Sequence, residues 1–412
     1  MEEIKTYTLE ELTKGRGNYG IAASAVPYNP SLRTYLRITD INDDGTLNKS
    51  SMMSVDEKNV DAFLLKPNDI VFARTGNSIG RSYFYDGSDG ELVYAGFLIK
   101  FSLDETKVNP RILKYYTHSK LYYDWVHSFD TGGTRGNINA KTYGAMPIML
   151  PSRGVQDKIV NILKSLDDKI ELNRRINDNL EQQAQALFKS WFVDFEPFKG
   201  GKFVESERGM IPDGWRVDRL DSVCDVIGGG TPSKVNLEYY CKNGIAWITP
   251  KDLSNTQAKF TSHGEIDITK IGYSNSSAKM IPKGSVLFSS RAPIGYISIA
   301  SNELCTNQGF KSLVPRIAGT GYLYLYLKEN TVVIEAQATG STFKEASGSL
   351  MKAQPIVIPN STALLSEFES IVRPVFDYQE SLEFENQNLA ALRNSLLPQL
   401  MSGELKVNEM NR

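Results

Sequence analysis

The chain repeats itself at a fixed distance. Thr131-Gly132-Gly133-Thr134, followed by Pro147-Ile148-Met149-Leu150-Pro151, returns as Thr339-Gly340-Ser341-Thr342, followed by Pro355-Ile356-Val357-Ile358-Pro359. Thr339 lies 208 positions after Thr131, and Pro359 lies 208 after Pro151. Solenoid repeats run to roughly 20–50 residues, so a period this long marks a duplicated, domain-sized unit. At 412 residues the chain is in any case too long for one hydrophobic core. Two like units on one chain make a pseudo-two-fold molecule. Such a molecule suits a target with two half-sites, of which duplex nucleic acid is the commonest.

Each unit is followed by a helical seam. Ile159, Leu163, Leu166, Ile170, Asn173, Asn177, Leu180, Ala184, Leu187 and Trp191 are spaced by alternating steps of four and three. That is the heptad pattern of a coiled coil. Moving 209 positions on gives Phe368, Val372, Val375, Gln379, Leu382, Asn386, Leu389, Arg393, Leu396 and Leu400, a second seam in the same phase. Both seams are polar in the middle. A polar seam residue costs stability but fixes register and partner, so the two helices are expected to pair with each other. A helix of about 40 residues is roughly 60 Å long, more than one turn of B-DNA at roughly 34 Å. Pro374 falls inside the second helix, where a proline costs about 3 kcal/mol. A kink, or a restart with Pro374 in a first turn, is predicted there.

The stretches before the helices have a different texture, rich in β-branched and aromatic residues with turn signals at short intervals. Asp69-Ile70-Val71-Phe72-Ala73 leads into a polar loop with Arg74, then Ile79-Gly80. Ser285-Val286-Leu287-Phe288 leads into a loop with Arg291, then Ile294-Gly295. Helical patches occur at 111–128 and 322–337. The predicted fold class is α+β: two pseudo-symmetric α+β domains joined by two long helices. The boundaries are a first domain at 1–152, a central helical region at 153–197, a linker at 198–209, a second domain at 210–361 and a C-terminal helical region at 362–412.

Composition narrows the function. Net charge is −2, which argues against nucleic-acid binding by bulk charge but not against local basic surfaces. The basic residues do cluster. Arg74 and Arg81 lie in an acid-free stretch from 70 to 85; Arg135, Lys141 and Arg153 lie in one from 131 to 156; Lys270, Lys279, Lys283 and Arg291 lie in one from 268 to 302. No run of about 18 apolar residues is present, so no membrane association is expected, and the first residues lack the pattern of a signal peptide. Cys224, Cys241 and Cys305 are odd in number and show no CxxC spacing, which fits free thiols in a reducing cytoplasm. Motifs for catalysis are missing. Gly228-Gly229-Gly230-Thr231-Pro232-Ser233-Lys234 lacks P-loop spacing and carries a proline where a helix should begin. HExxH, GxSxG, a nuclease acid-x-Lys after Pro212-Asp213 and a methyltransferase Asn-Pro-Pro-aromatic loop are likewise not found. The expectation is a non-catalytic chain that holds no metal.

Five segments together resemble one known family, the specificity subunit of Type I restriction–modification systems. Ile211-Pro212-Asp213-Gly214-Trp215 and the glycine-rich segment from Gly228 to Lys234 are similar to that family's domain opening. The segment from Lys14 to Ser24 resembles an alternative opening. The segment from Leu187 to Phe195 is similar to the end of the family's central helical region, and that from Leu396 to Leu405 to the end of the C-terminal one. The resemblance covers nearly the whole chain. It implies two target recognition domains, each reading half of a split site in double-stranded DNA. It also implies an antiparallel coiled coil that spaces the domains and docks two methyltransferase subunits, and restriction subunits through them. S-adenosylmethionine, ATP and Mg²⁺ are then expected on the partner subunits and no cofactor on this chain. Whether the free chain self-associates is left open. The competing reading is a coiled-coil protein-interaction scaffold that binds no DNA.

Base readout needs side chains that offer paired donors or acceptors, and backbone contacts need cations, hydroxyls and loop amides. The loops after the duplicated strands supply both: Arg74, Thr75, Asn77, Ser78 and Arg81 in the first domain, Ser289, Ser290 and Arg291 in the second. The TGxT loops come next, with Thr131, Thr134, Arg135 and Asn137, then Thr339, Ser341, Thr342 and Lys344. The openings add Arg16 and Tyr19, then Thr231, Ser233 and Lys234. Tyr115, Tyr116, Tyr122, Tyr123 and Trp125 read as core. Because Arg74-Thr75-Gly76-Asn77 and Ser290-Arg291-Ala292-Pro293 differ on one framework, the two half-sites are predicted to differ in sequence.

Overall fold

The computed structural model describes residues 4–129, 136–256, 258–340, 344–402 and 404–405. Thr131, Thr134, Arg135, Ser341 and Thr342 therefore lie outside the described residues. The chain divides into two compact units, Met1–Ile170 with Asn388–Arg412, and Glu171–Gln387. Both units are α+β.

In the first unit, Asp69–Ala73 is one of the two inner strands of a four-stranded antiparallel sheet. It pairs with Leu98–Ser102 on one side (Ile70 opposite Phe101, Phe72 opposite Ile99) and with Ser82–Tyr85 on the other. Its run of apolar residues follows from burial on both faces. Ile70 and Phe72 enter one core with Leu12, Phe101, Tyr122 and Tyr143. Val71 and Ala73 point the opposite way, into a second core with Leu36, Tyr83, Leu92 and Leu98. A second four-stranded sheet is formed by Ala25–Val26, Met53–Val55, Arg33–Leu36 and Leu92–Tyr94. The second unit repeats the device. Val286–Ser290 sits inside a five-stranded sheet, with Val286 and Phe288 in one core and Leu287 in another.

The duplicated Pro-Ile-x-x-Pro motif has a structural meaning that its sequence does not reveal. In each unit it is the strand that closes the domain by pairing with the opening one. Pro147–Leu150 pairs antiparallel with Lys5–Thr8, and Pro355–Pro359 with Trp215–Arg219. Alternation along it buries Ile148 and Leu150, then Ile356 and Ile358. The patch at 111–128 is two helices, Pro110–Tyr116 and Lys120–His127, the second capped by the Ser119 hydroxyl accepting from the Tyr122 N–H. The patch at 322–337 belongs to one helix, Thr320–Gln337.

The two seams form helices Arg153–Phe192 and Ala363–Ser402, each of 40 residues. Within each unit they pair antiparallel. In the first, Ile159 and Leu163 near the start of one helix share a core with Leu397 and Leu400 near the end of the other. In the second, Phe188 and Phe192 pack with Phe368, whose ring lies 6.1 and 4.9 Å from theirs. The seam residues Leu166, Ile170, Asn177, Leu180, Leu187, Val372, Val375, Leu382, Asn386, Leu389 and Leu396 are all buried or half-buried. The polar middle makes directed contacts. Fully buried Asn173 donates through Nδ2 to Glu385 (2.7 Å) and to Asn386 Oδ1 (3.0 Å), and Gln379 donates to the Asn177 carbonyl (3.1 Å).

Two expectations are corrected. The second helix does not restart at Pro374, which is exposed within a continuous helix. Burial of Val372, Phe376 and Gln379 on the opposite side offsets the lost hydrogen bond. The stretch 198–209, read as a linker, is not structureless. Phe203–Ser206 forms a hairpin with Gly209–Pro212, and Phe198 and Val204 pack on the core of the second unit. Among the described residues no helix is long and apolar enough to cross a membrane.

Each domain is also tied to the helices by charge. In the first unit Asp167 accepts from Lys114 (2.9 Å), from the Tyr115 hydroxyl (3.0 Å) and from Arg393 (2.7 Å). Burial pushes the Asp167 carboxyl up, but Lys114 and Arg393 outweigh it and hold it below the usual range. Arg393 is thus a seam residue with a partner, not a flaw in the seam.

Candidate nucleic-acid interface

The same backbone hydrogen bonds recur at one edge of each unit. In the first, Arg74 at the end of its strand donates its N–H to the Phe97 carbonyl (3.1 Å), and its own carbonyl accepts from Ile138 (3.0 Å). In the second, Ser290 donates to Gly309 (2.7 Å) and accepts from Ala346 (2.9 Å). The openings dock beside them in the same way. Ile21 donates to the Tyr94 carbonyl (3.0 Å) and Gly230 to the Thr306 carbonyl (2.9 Å). A ring polar group then caps each opening: the Tyr35 hydroxyl donates to the Ile21 carbonyl (3.0 Å), and Trp247 Nε1 to the Gly230 carbonyl (3.0 Å). The strand-end loop, the domain opening and the loop after TGxT therefore converge in both units.

The side chains carried by this shared frame differ. In the first unit Tyr19, Arg74, Thr75 and Asn137 come together. The Arg74 guanidinium lies over the Tyr19 ring, 5.0 Å from its centroid, and the Tyr19 hydroxyl accepts from the Ala140 N–H (3.1 Å). Thr75 and Asn137 form an antiparallel bridge. Arg74 Nε is buried and has no hydrogen-bond partner among the described residues. An unsatisfied buried donor costs about 1–3 kcal/mol. Phe97, 58% exposed, stands next to this group.

In the second unit the frame brings Arg291, Glu345 and Lys311 together. Glu345 lies 3.7 Å from Arg291 and 3.0 Å from Lys311. Thr339 bridges Glu345 through the backbone, and Lys344 beside it is exposed. The Thr231 hydroxyl donates to exposed Gln308, next to Gly309. Ser233 and Lys234 are exposed on the loop that follows.

Several nominated residues face inward instead. Ser289 and Ser290 are fully buried. Ser289 donates to the Pro293 carbonyl (2.9 Å) and accepts from the Tyr296 N–H (2.8 Å), while Ser290 donates to the Gly309 carbonyl (3.1 Å). These hydroxyls hold the turn and leave nothing for a base edge. Ser78 is buried, whereas Asn77 is exposed. Arg81 is committed to Asp43 (2.6 Å) and the Ile41 carbonyl (3.1 Å), so it locks the hairpin rather than facing a ligand. Arg16 is exposed and pairs with Glu10 at 3.3 Å, a surface contact worth little. Tyr115, Tyr116 and Tyr122 are core residues as expected, with Tyr123 and Trp125 packed against that core. Sequence reading missed Phe97, Gln308, Lys311 and Glu345. Lys311 carried a signal, a lone cation in an apolar strand, and Glu345 another, as the counterpart of Asn137 at the 208-residue spacing.

The description "Type I restriction modification DNA specificity domain" matches the chain twice, over residues 1–182 and 212–394. Among curated relatives, the Type I restriction enzyme HindI specificity subunit of Haemophilus influenzae is 27% identical over 406 aligned residues, 83% of this chain and 87% of the relative. The Type I restriction enzyme MjaIX specificity subunit of Methanocaldococcus jannaschii is 38% identical over 191 residues, 44% of each chain. Among solved structures, the S subunit of the Type-I restriction-modification system from M. genitalium shares the fold. Its TM-score is 0.55 at 16% identity, with 97% of this chain and 96% of that one covered.

Proposed function

The chain belongs to the family of Type I restriction–modification DNA specificity domains, and on that premise we propose that each of its units reads one half of an asymmetric, split DNA site. The observation that carries this is the shared frame with unlike side chains: Tyr19, Arg74 and Asn137 on one copy, Arg291, Lys311 and Glu345 on the other. A frame held by identical backbone bonds fixes the approach to DNA, and the side chains it displays choose the bases. Exposed Asn77 and Lys344, close in sequence to these groups, and exposed Ser233, Lys234 and Arg16 on the openings suit phosphate contacts. Thr75, Thr231 and Thr339 contribute hydroxyls or loop amides at the same edge. The chain selects the site in the cytoplasm, while two methyltransferase subunits, and restriction subunits bound through them, carry out the chemistry. S-adenosylmethionine, ATP and Mg²⁺ belong to those partners. Among the described residues no three His, Cys, Asp or Glu side chains are grouped to hold a metal.

The test is DNA binding by the complex of this chain with its methyltransferase subunits. Affinity should fall steeply as salt rises. Arg74→Ala should cost about 1–3 kcal/mol and relax the preference at one base position of the first half-site. A uniform loss across sequences with a shallower salt slope would make Arg74 a phosphate contact. Binding indifferent to both salt and sequence would favour the scaffold reading.

A further inference from the structure

An acid at a DNA-facing edge needs a reason. Glu345 sits where the frame places Asn137 in the first unit: each immediately precedes the residue whose N–H donates to the strand-end carbonyl, Ile138 to Arg74 (3.0 Å) and Ala346 to Ser290 (2.9 Å). A carboxylate accepts hydrogen bonds and donates none, so it gains nothing from a phosphate and is repelled by it. The groups in the major groove that can donate to it are the exocyclic amines, with cytosine N4 the usual partner of Glu and Asp. Asn at the equivalent position suits adenine, through N6 and N7. Two cations hold the carboxylate in place. Lys311, 14% exposed, reaches one oxygen at 3.0 Å, and Arg291 lies 3.7 Å from the other. Lys311 is fixed in turn by the Ser290 hydroxyl at 3.4 Å. Two cations against one acid leave this cluster positive overall, so DNA can approach while the carboxylate stays aimed.

Resting on the DNA-reading role proposed above, the geometry points to Glu345 as a specificity-determining residue of the second half-site, accepting from N4 of a cytosine while Arg291 and Lys311 orient it.

The experiment is methylation mapping in a host that carries the complete system. The wild-type motif must contain a C·G pair in the half read by the second unit; a half without one overturns the assignment. Glu345→Gln replaces an acceptor oxygen with a donor amide of the same shape. It should reduce the preference for that C·G pair at least tenfold, admit A·T there, and leave the first half unchanged. Glu345→Asp keeps the charge but withdraws it by one methylene, and should relax the same position. A melting curve of each variant complex shows that it is folded. If a folded variant keeps the wild-type motif while binding all DNA more tightly, Glu345 does no more than neutralise its two cations, and the assignment fails. Relaxation in the first half overturns it as well. If the wild-type complex marks no specific site at all, the DNA-reading role itself fails, an outcome distinct from the others.

Discussion

Placing a methyl group on Gly229 is expected to abolish site-specific binding, and so is placing one on Gly20. A Cβ at Gly229 would lie 2.1 Å from the Asn307 carbonyl oxygen and 2.4 Å from that of Thr306; at Gly20 it would lie 2.2 Å from the Tyr94 oxygen and 2.3 Å from that of Ala95. These are backbone atoms, so no side-chain rotation relieves the clash. The opening must lift from its neighbour. In the second unit that breaks the Gly230–Thr306 hydrogen bond and strains the Trp247 cap, and Gly309, which holds Ser290, moves with it. Overpacking costs about 1–3 kcal/mol, and the lost buried hydrogen bonds add about 1–3 kcal/mol. Gly229→Ala should therefore lower affinity for the specific site about a hundredfold or more, and Gly20→Ala likewise. Gly154→Ala, with nothing within 4 Å of its Cβ, is the control and should bind as wild type. Near-normal binding by Gly229→Ala would mean that the opening is not part of the reading frame.

Loss of Lys259 should be the most damaging single change to the stability of the second unit. Its side chain is 8% exposed, with Nζ 2.6 Å from both Glu181 and Gln379 Oε1. The ammonium lies 3.3 Å from the centre of the Phe376 ring and 4.4 Å from that of Tyr324. The backbone around it is tied down as well, since Glu383 accepts from the N–H groups of Lys259 (3.0 Å) and Phe260 (3.1 Å). Lys259→Ala leaves the half-buried Glu181 carboxylate, 20% exposed, without its cation, which costs up to about 3 kcal/mol. Replacing the pair together, Lys259→Met with Glu181→Leu, should recover most of that loss, because a buried pair exchanged for apolar groups of similar size is often neutral. Tryptophan fluorescence during denaturation reports mainly this unit, since three of the four tryptophans, Trp191, Trp215 and Trp247, belong to it and Trp125 to the first. A single variant that loses less than about 1 kcal/mol, or a double variant as unstable as the single, would contradict the assignment. The pH dependence has a definite sign. Burial pulls the Lys259 ammonium down to about 8, against the pull of Glu181. Between that value and the ordinary 10.5 the unfolded chain holds more protons than the folded one. The contribution of Lys259 to stability should therefore rise with pH across this window, relative to the double variant.

What was legible in the sequence follows from what is local. The 208-residue spacing survives as matched hydrogen bonds, because the backbone frame depends on short motifs such as the glycine-rich openings. The apolar run at 69–73 is a strand buried on both faces, and the heptad seams are helices, because periodicity reports burial directly. What was not legible depends on contacts between residues far apart in the chain. Nothing near Pro147 or Pro355 says that these strands close their domains against Lys5–Thr8 and Trp215–Arg219. Ser289 and Ser290 look like readers until the fold turns their hydroxyls onto carbonyls at 293 and 309. Pro374 breaks a rule of isolated helices that packing overrides. Lys259 looks like a surface lysine, and only the approach of Glu181 and Gln379 makes it a buried clamp. At the candidate interface the frame could be found from sequence, but Glu345 and Lys311 needed the third dimension.

The central claim is that each unit reads its own half of the site. It is tested most directly by exchanging residues 210–361 for the corresponding domain of a family member with a different second half-site. The methylated motif of a host that carries the chimera with its partner subunits is then mapped. A new sequence is expected in one half and the original sequence in the other. A change in both halves, or in neither, would contradict it.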